Sequence, residues 1–132
     1  MSLSAGLQNY ILDFQINGTD TAANTDQDFI SPVDGYIEEL GTIIQSAVTT
    51  GGTIAVKTGD TLTNTVAGLT QTIANGATKG TKQTTKATKQ SATRKVSKGD
   101  RINLDLTSFA TAGAVNGYIL ILAADTDGVM PF

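Results

Sequence analysis

The chain has 132 residues, a net charge of −3, and neither cysteine nor histidine. That length fits one domain that can bury roughly two-thirds of its unfolded surface without disulfides or metal. The two missing residue types exclude thiolate zinc sites, cysteine nucleophiles and every histidine-dependent triad, and nothing else in the sequence nominates a nucleophile or base. The expectation is a protein that is not an enzyme and needs no cofactor.

The first segment, MSLSAGLQNYILDF, lacks the basic start and long apolar core of a secretory signal, and no apolar run approaches the ~20 residues needed to span a bilayer. It reads as part of a protein made in a cytoplasm, with no membrane partner. Tyr10, Leu12, Phe14 and Ile16 alternate with Ile11, Asp13, Gln15 and Asn17, which predicts a half-buried strand ended by Asn17-Gly18. Thr19–Asp28 is small, polar and acidic, and reads as a loop or ordered arm.

Pro32 suits an edge or turn, and Asp34-Gly35 is a strong turn pair. Tyr36–Val48 then reads as one long strand or two joined near Gly41. A helix over Ile37–Ile44 competes on spacing, but Gly41 and the β-branched Thr42-Ile43-Ile44 disfavour it. Thr49–Gly52 predicts a turn, Thr53–Lys57 a short strand and Thr58-Gly59-Asp60 a second turn. Leu62–Ile73, broken by Gly68, predicts two short strands or one bent strand, and Asn75-Gly76 another turn.

The chain then becomes basic. Thr78–Leu106 holds eight of the nine basic residues, whereas residues 1–56 carry seven acids and no base. Lys79, Lys82, Lys86 and Lys89 recur every three or four residues, but the threonines among them disfavour helix and predict an extended segment or long loop. After the turn Lys98-Gly99-Asp100, Ile102, Leu104 and Leu106 alternate with Arg101, Asn103 and Asp105, the cleanest strand in the sequence. Val115–Ala123 is almost continuously apolar and predicts a central strand covered on both faces.

Seven or eight short strands with turn signals every eight to twelve residues predict an all-β, single-domain antiparallel sandwich of jelly-roll type. Its expected parts are an N-terminal strand with an acidic loop or arm (1–33), the jelly-roll core (34–123) and a C-terminal tail (124–132) ending in Met130-Pro131-Phe132. Asp125-x-Asp127-Gly128 and the Asp20/Asp26/Asp28 group match no EF-hand and read as turn chemistry, with no metal expected. Glu38 and Glu39 are adjacent, so on a strand they point to opposite faces and cannot work as a pair.

The basic residues Lys79, Lys82, Lys86, Lys89, Arg94 and Lys95 are the candidate contacts to a partner or a neighbouring subunit. The plainer reading is an edge guarded by lysines against aggregation. Nucleic acid is not expected, because no aromatic stands between Gly76 and Leu106 to stack on bases and the pI is about 4.6.

The order Asp34-Gly35-Tyr36-Ile37, then Ala47-Val48-Thr49-Thr50-Gly51-Gly52-Thr53-Ile54-Ala55-Val56, then Gly68-Leu69-Thr70-Gln71-Thr72-Ile73, then Lys98-Gly99-Asp100-Arg101-Ile102-Asn103-Leu104 and the final Tyr118–Leu122 strand resembles the small jelly-roll decoration, or cement, proteins of tailed-bacteriophage heads. The likeness spans about Asp34 to Leu122 and departs from the family where a basic stretch replaces small uncharged residues before the Gly-Asp turn. It implies a homotrimeric knob on the outer capsid surface of the virion, with the major capsid protein as partner. The alternative is a trimeric recognition module of fibre or complement-like type that binds glycan or a host surface, for which only three tyrosines and four phenylalanines are on hand.

Overall fold

The computed structural model describes residues 8–59, 61–110 and 113–123. The expected tail, its Asp125-x-Asp127-Gly128 run and Met130-Pro131-Phe132 lie outside them, as does Asp60 of the second turn. Among the described residues nine strands form two antiparallel sheets, and the fold is the jelly roll that the strand spacing predicts. The strands are β1 (Gln8–Ile16), β2 (Gln27–Ile30), β3 (Gly35–Ile44), β4 (Gly52–Thr58), β5 (Asn64–Ile73), β6 (Lys82–Lys86), β7 (Lys95–Val96), β8 (Arg101–Thr107) and β9 (Val115–Ala123).

One sheet runs β1-β9-β3-β6, with the two-residue β7 also on β3, and the other runs β2-β8-β4-β5. The pairs nest: β1 with β9, β2 with β8, β3 with β6 and β4 with β5. The chain is thus one long hairpin rolled up so that successive pairs fall in alternate sheets. Inward-facing residues of both layers, including Ile16, Ile37, Leu40, Ile54, Val66, Leu69, Ile102, Leu104, Ile119 and Ile121, form one core. Burying each such side chain contributes about 1.5–3 kcal/mol before entropy is subtracted.

Two registers slip. Between Ile37 and Glu39 the pairing of β3 with β9 skips Glu38, a bulge that frees its side chain from the pleat. Between Ala55 and Lys57 the partner strand β5 swells around Gly68, whose φ of 85° suits glycine, so this segment is one bent strand.

Two local expectations are corrected. Thr19–Asp28 is not a loop: Gly18–Ala23 forms a short helix, α1, and β2 begins at Gln27. Asn17 caps the helix by accepting from the Asp20 N–H, and Asn24 ends it in the left-handed region. Asn24 also donates to and accepts from the Phe109 backbone at 2.8 and 2.9 Å, so polar contacts 85 residues away order a segment with little to bury.

Of the two forms expected for the basic stretch the extended one is found, as β6, a 3-10 turn over Ala92–Arg94 and β7. The second correction is β9, which is central but, among the described residues, covered on one face. Val115, Ile119, Ile121 and Ala123 are buried, whereas Tyr118, Leu120 and Leu122 are half-buried on the outside of a two-layer sandwich.

Candidate functional site

The two flanks of the sandwich are chemically opposite. On one, β1 lies over β2, joined by the Phe14 and Phe29 rings at 6.4 Å. Asp13, Asp20, Asp26 and Asp28 belong to this flank, and Asp28 is held by Arg101 at 2.8 Å and by the Asn103 amide at 2.8 Å. Those hydrogen bonds, Arg101 first, lower the Asp28 carboxyl below its ordinary value, while burial raises that of Asp26.

On the other flank β6 lies over β5, and β6 is positioned by its inward residues. The Gln71 amide of β5 donates to Thr85 at 3.0 Å and to the Leu40 carbonyl at 3.4 Å, and its oxygen accepts from Thr42 at 2.5 Å. Gln83 donates to the Thr72 carbonyl at 3.1 Å. With Gln83 and Thr85 tied inward, strand alternation turns Lys82, Thr84 and Lys86 outward, Lys82 and Lys86 about 13 Å apart along the strand.

Around this row stand Lys79, in the turn closed by the Thr81 N–H on the Thr78 carbonyl at 3.1 Å and tied to β3 by the Gly80 N–H on the Ile44 carbonyl at 2.8 Å, Lys89, in the turn after Ala87, and Lys95 on β7. All five lysines are exposed. Lys86 approaches Glu39 at 4.0 Å, and among the described residues Lys79, Lys82, Lys89 and Lys95 form no ion pair. The sixth candidate does not belong to this surface. Arg94 has a fully buried side chain, bonded to the Ile37 carbonyl at 3.0 Å and the Glu38 carboxylate at 2.5 Å, with its guanidinium over the Tyr36 ring. Its charge is spent inside the protein, where it anchors the 87–94 segment to β3. The bulge at Glu38 is what brings that carboxylate within reach.

Glu39, the other half of the adjacent pair, accepts from the Tyr118 hydroxyl on the outer face. That bond, with burial, raises the Tyr118 phenol above its ordinary value of 10.0. Tyr118 leans across Gly41, where any Cβ would collide with the ring. Beside it a shallow depression of about 270 Å³ is lined by Gly41, Ile43, Lys82, Thr84 and Tyr118 among others.

Sequence reasoning missed Gln71, Gln83 and the outer positions of β9. The last had a signal, since a strand that is apolar at both parities needs two covers. The glutamines had none, because their partners are 11 to 31 residues distant. Among the described residues, no group of three or more acidic side chains converges as metal ligands would. The chain matches no protein-family model and no curated protein.

Proposed function

We propose that this protein is a capsid-decoration, or cement, protein that seats on the outside of an assembled phage head and stabilises it. The observation that carries the proposal is the basic flank: five exposed lysines on β6, its adjoining turns and β7, with one distant counter-ion among the described residues. A surface of this kind offers little to the stability of its own fold and fits an acidic protein surface, the major capsid protein in this reading. The chemistry is binding alone. A protein that binds the assembled shell and not its separated subunits stabilises the shell by RT ln(1 + [L]/Kd) at each site.

The test is co-sedimentation of the purified protein with expanded heads at low and high salt. The wild-type chain is expected to bind in a salt-sensitive way, and a variant with Lys79, Lys82, Lys86 and Lys89 changed to Gln is expected to bind at least tenfold more weakly. Undiminished binding by that variant at both salt concentrations sinks the proposal. A glycan-array signal with no binding to heads would instead support the recognition-module reading.

A further inference from the structure

The outward face of the β1-β9-β3-β6 sheet has a lateral order that the register fixes. Across it run four rows: Lys95-Tyr36-Leu122-Asn9, Lys86-Glu39-Leu120-Ile11, Thr84-Gly41-Tyr118-Asp13 and Lys82-Ile43-Asn116-Gln15. The β6 rim is basic, the β1 rim carries Asp13, and in the middle Tyr36, Ile43, Tyr118, Leu120 and Leu122 surround Glu39, whose carboxylate is bonded to the Tyr118 hydroxyl and approached by Lys86. Ile11 is 57% exposed, and Ile43, Tyr118, Leu120 and Leu122 are half-buried. Apolar side chains gathered around one paired carboxylate, with opposite charges at the two edges, make a face that is complementary to itself.

We propose that this face binds the same face of a second copy of the chain, related by a two-fold axis parallel to the strands. The charges select the axis. Rotation about a line along the strands carries β6 of one copy over β1 of the other, so that Asp13 lies level between Lys82 and Lys86 of its partner. It also sets the depression beside Tyr118 over the half of the partner that bears Ile11 and Leu120, two apolar side chains that can enter it. The competing two-fold, across the strands, stacks Lys82 and Lys86 on themselves and is rejected by like-charge repulsion.

Three strands about 30 Å long and the five-residue β6, about 17 Å long, spaced about 4.8 Å apart, present roughly 500–550 Å² per copy. The pair would bury about 1,000–1,100 Å², just above the size at which specific interfaces begin, so the association is reversible and concentration-dependent. This inference does not rest on the decoration reading and competes with it for one surface: pairing draws Lys82 and Lys86 against the partner's Asp13, so it is the dissociated chain that offers them to a shell. Pairing does explain why β9 is apolar on both faces although the sandwich covers one.

Sedimentation equilibrium of the full chain from about 1 μM to about 1 mM is expected to show a monomer–dimer equilibrium across the range where interfaces of this size dissociate. Leu120→Asp and Asp13→Lys are each expected to raise the dissociation constant at least tenfold. Adding Lys82→Glu and Lys86→Gln to Asp13→Lys is expected to restore it to within a few-fold, and Ile30→Asp, on the other sheet, to leave it unchanged. Circular dichroism confirms that each variant is folded. As a readout independent of the variants, a carbodiimide amide joining Asp13 to Lys82 is expected between isotopically distinct copies, because within one chain two strands separate them. A monomer at every concentration, a trimer, a dimer indifferent to Leu120→Asp, or failure of the charge-swapped variant to recover would each overturn the proposal.

Discussion

Where β1 lies over β2, the sandwich is closed by apolar contact between Phe14 and Phe29, and the surface outside that seal is acidic. Where β6 lies over β5, closure is polar, through Gln71 and Gln83, and the surface outside is basic. An apolar seal is non-directional and tolerates small shifts of the strands, whereas the amide bonds of Gln71 fix β6 in one register against β5. The flank that presents the lysine row is therefore the one whose geometry is pinned by hydrogen bonds.

The largest stability effect is expected on the acidic flank. Phe14 is 6% exposed, so Phe14→Ala should cost about 3–5 kcal/mol in urea unfolding. A loss below about 1 kcal/mol would mean that the ring contact does not hold the flank shut. On the basic flank Gln71→Leu strands the Thr42 and Thr85 hydroxyls and the Leu40 carbonyl without their partner, at a cost of about 1–3 kcal/mol. Thr85→Val added to Gln71→Leu should then cost little more, because the hydroxyl has already lost its bond. Full additivity in the double variant would remove the claim that Gln71 and Thr85 act as one unit.

The acidic flank can be probed further by pH, since two of its carboxylates are displaced in opposite directions. Asp28 titrates below 3.8 in the folded protein, so its contribution is complete above the unfolded value and is lost as pH falls through the folded one. Asp26 titrates above 3.8, so its contribution is present below the unfolded value and is lost as pH rises through the folded one. Urea unfolding at pH 3 and pH 6 should separate them. Asp28→Asn is expected to be more destabilising at pH 6 than at pH 3, and Asp26→Asn more destabilising at pH 3. The same sign for both would show that Arg101 and burial do not set these two carboxyls apart.

What the sequence shows well is whatever period and turn chemistry control. The alternation in β8 and the pairs Asp34-Gly35 and Asn75-Gly76 place strands and turns because each signal is local. What it hides is decided across the fold. Thr21, in α1, is buried because its hydroxyl accepts the Gly113 N–H from the far end of the chain. Arg94 sits within a run of surface cations and differs from them only because a bulge three strands away in sequence order presents Glu38 to it. Asn103 alternates as an outward residue of β8, yet it is fully buried, its amide donating to Asp28 of β2 and its backbone paired with Lys57 of β4. A charge or an amide reads as surface until its long-range partner is known.

The smallest effect on stability is expected from the residues that matter most for the proposed contact. Lys79, Lys82, Lys89 and Lys95 make no ion pair among the described residues, so each change to Gln should alter unfolding by no more than about 0.5 kcal/mol. Mutual repulsion does not change that expectation, because Lys82 and Lys86 stand about 13 Å apart and the screening length at physiological salt is about 8 Å. Two roles for the row then give different outcomes. If the lysines guard the β6 edge, the Gln variants lose solubility and form strand-edge aggregates, detected by light scattering, while binding by the remaining monomer is intact. If they form the contact surface, the variants stay soluble and folded, and what falls is salt-sensitive binding to heads. The basic flank differs from the acidic one in kind only if the second pattern appears.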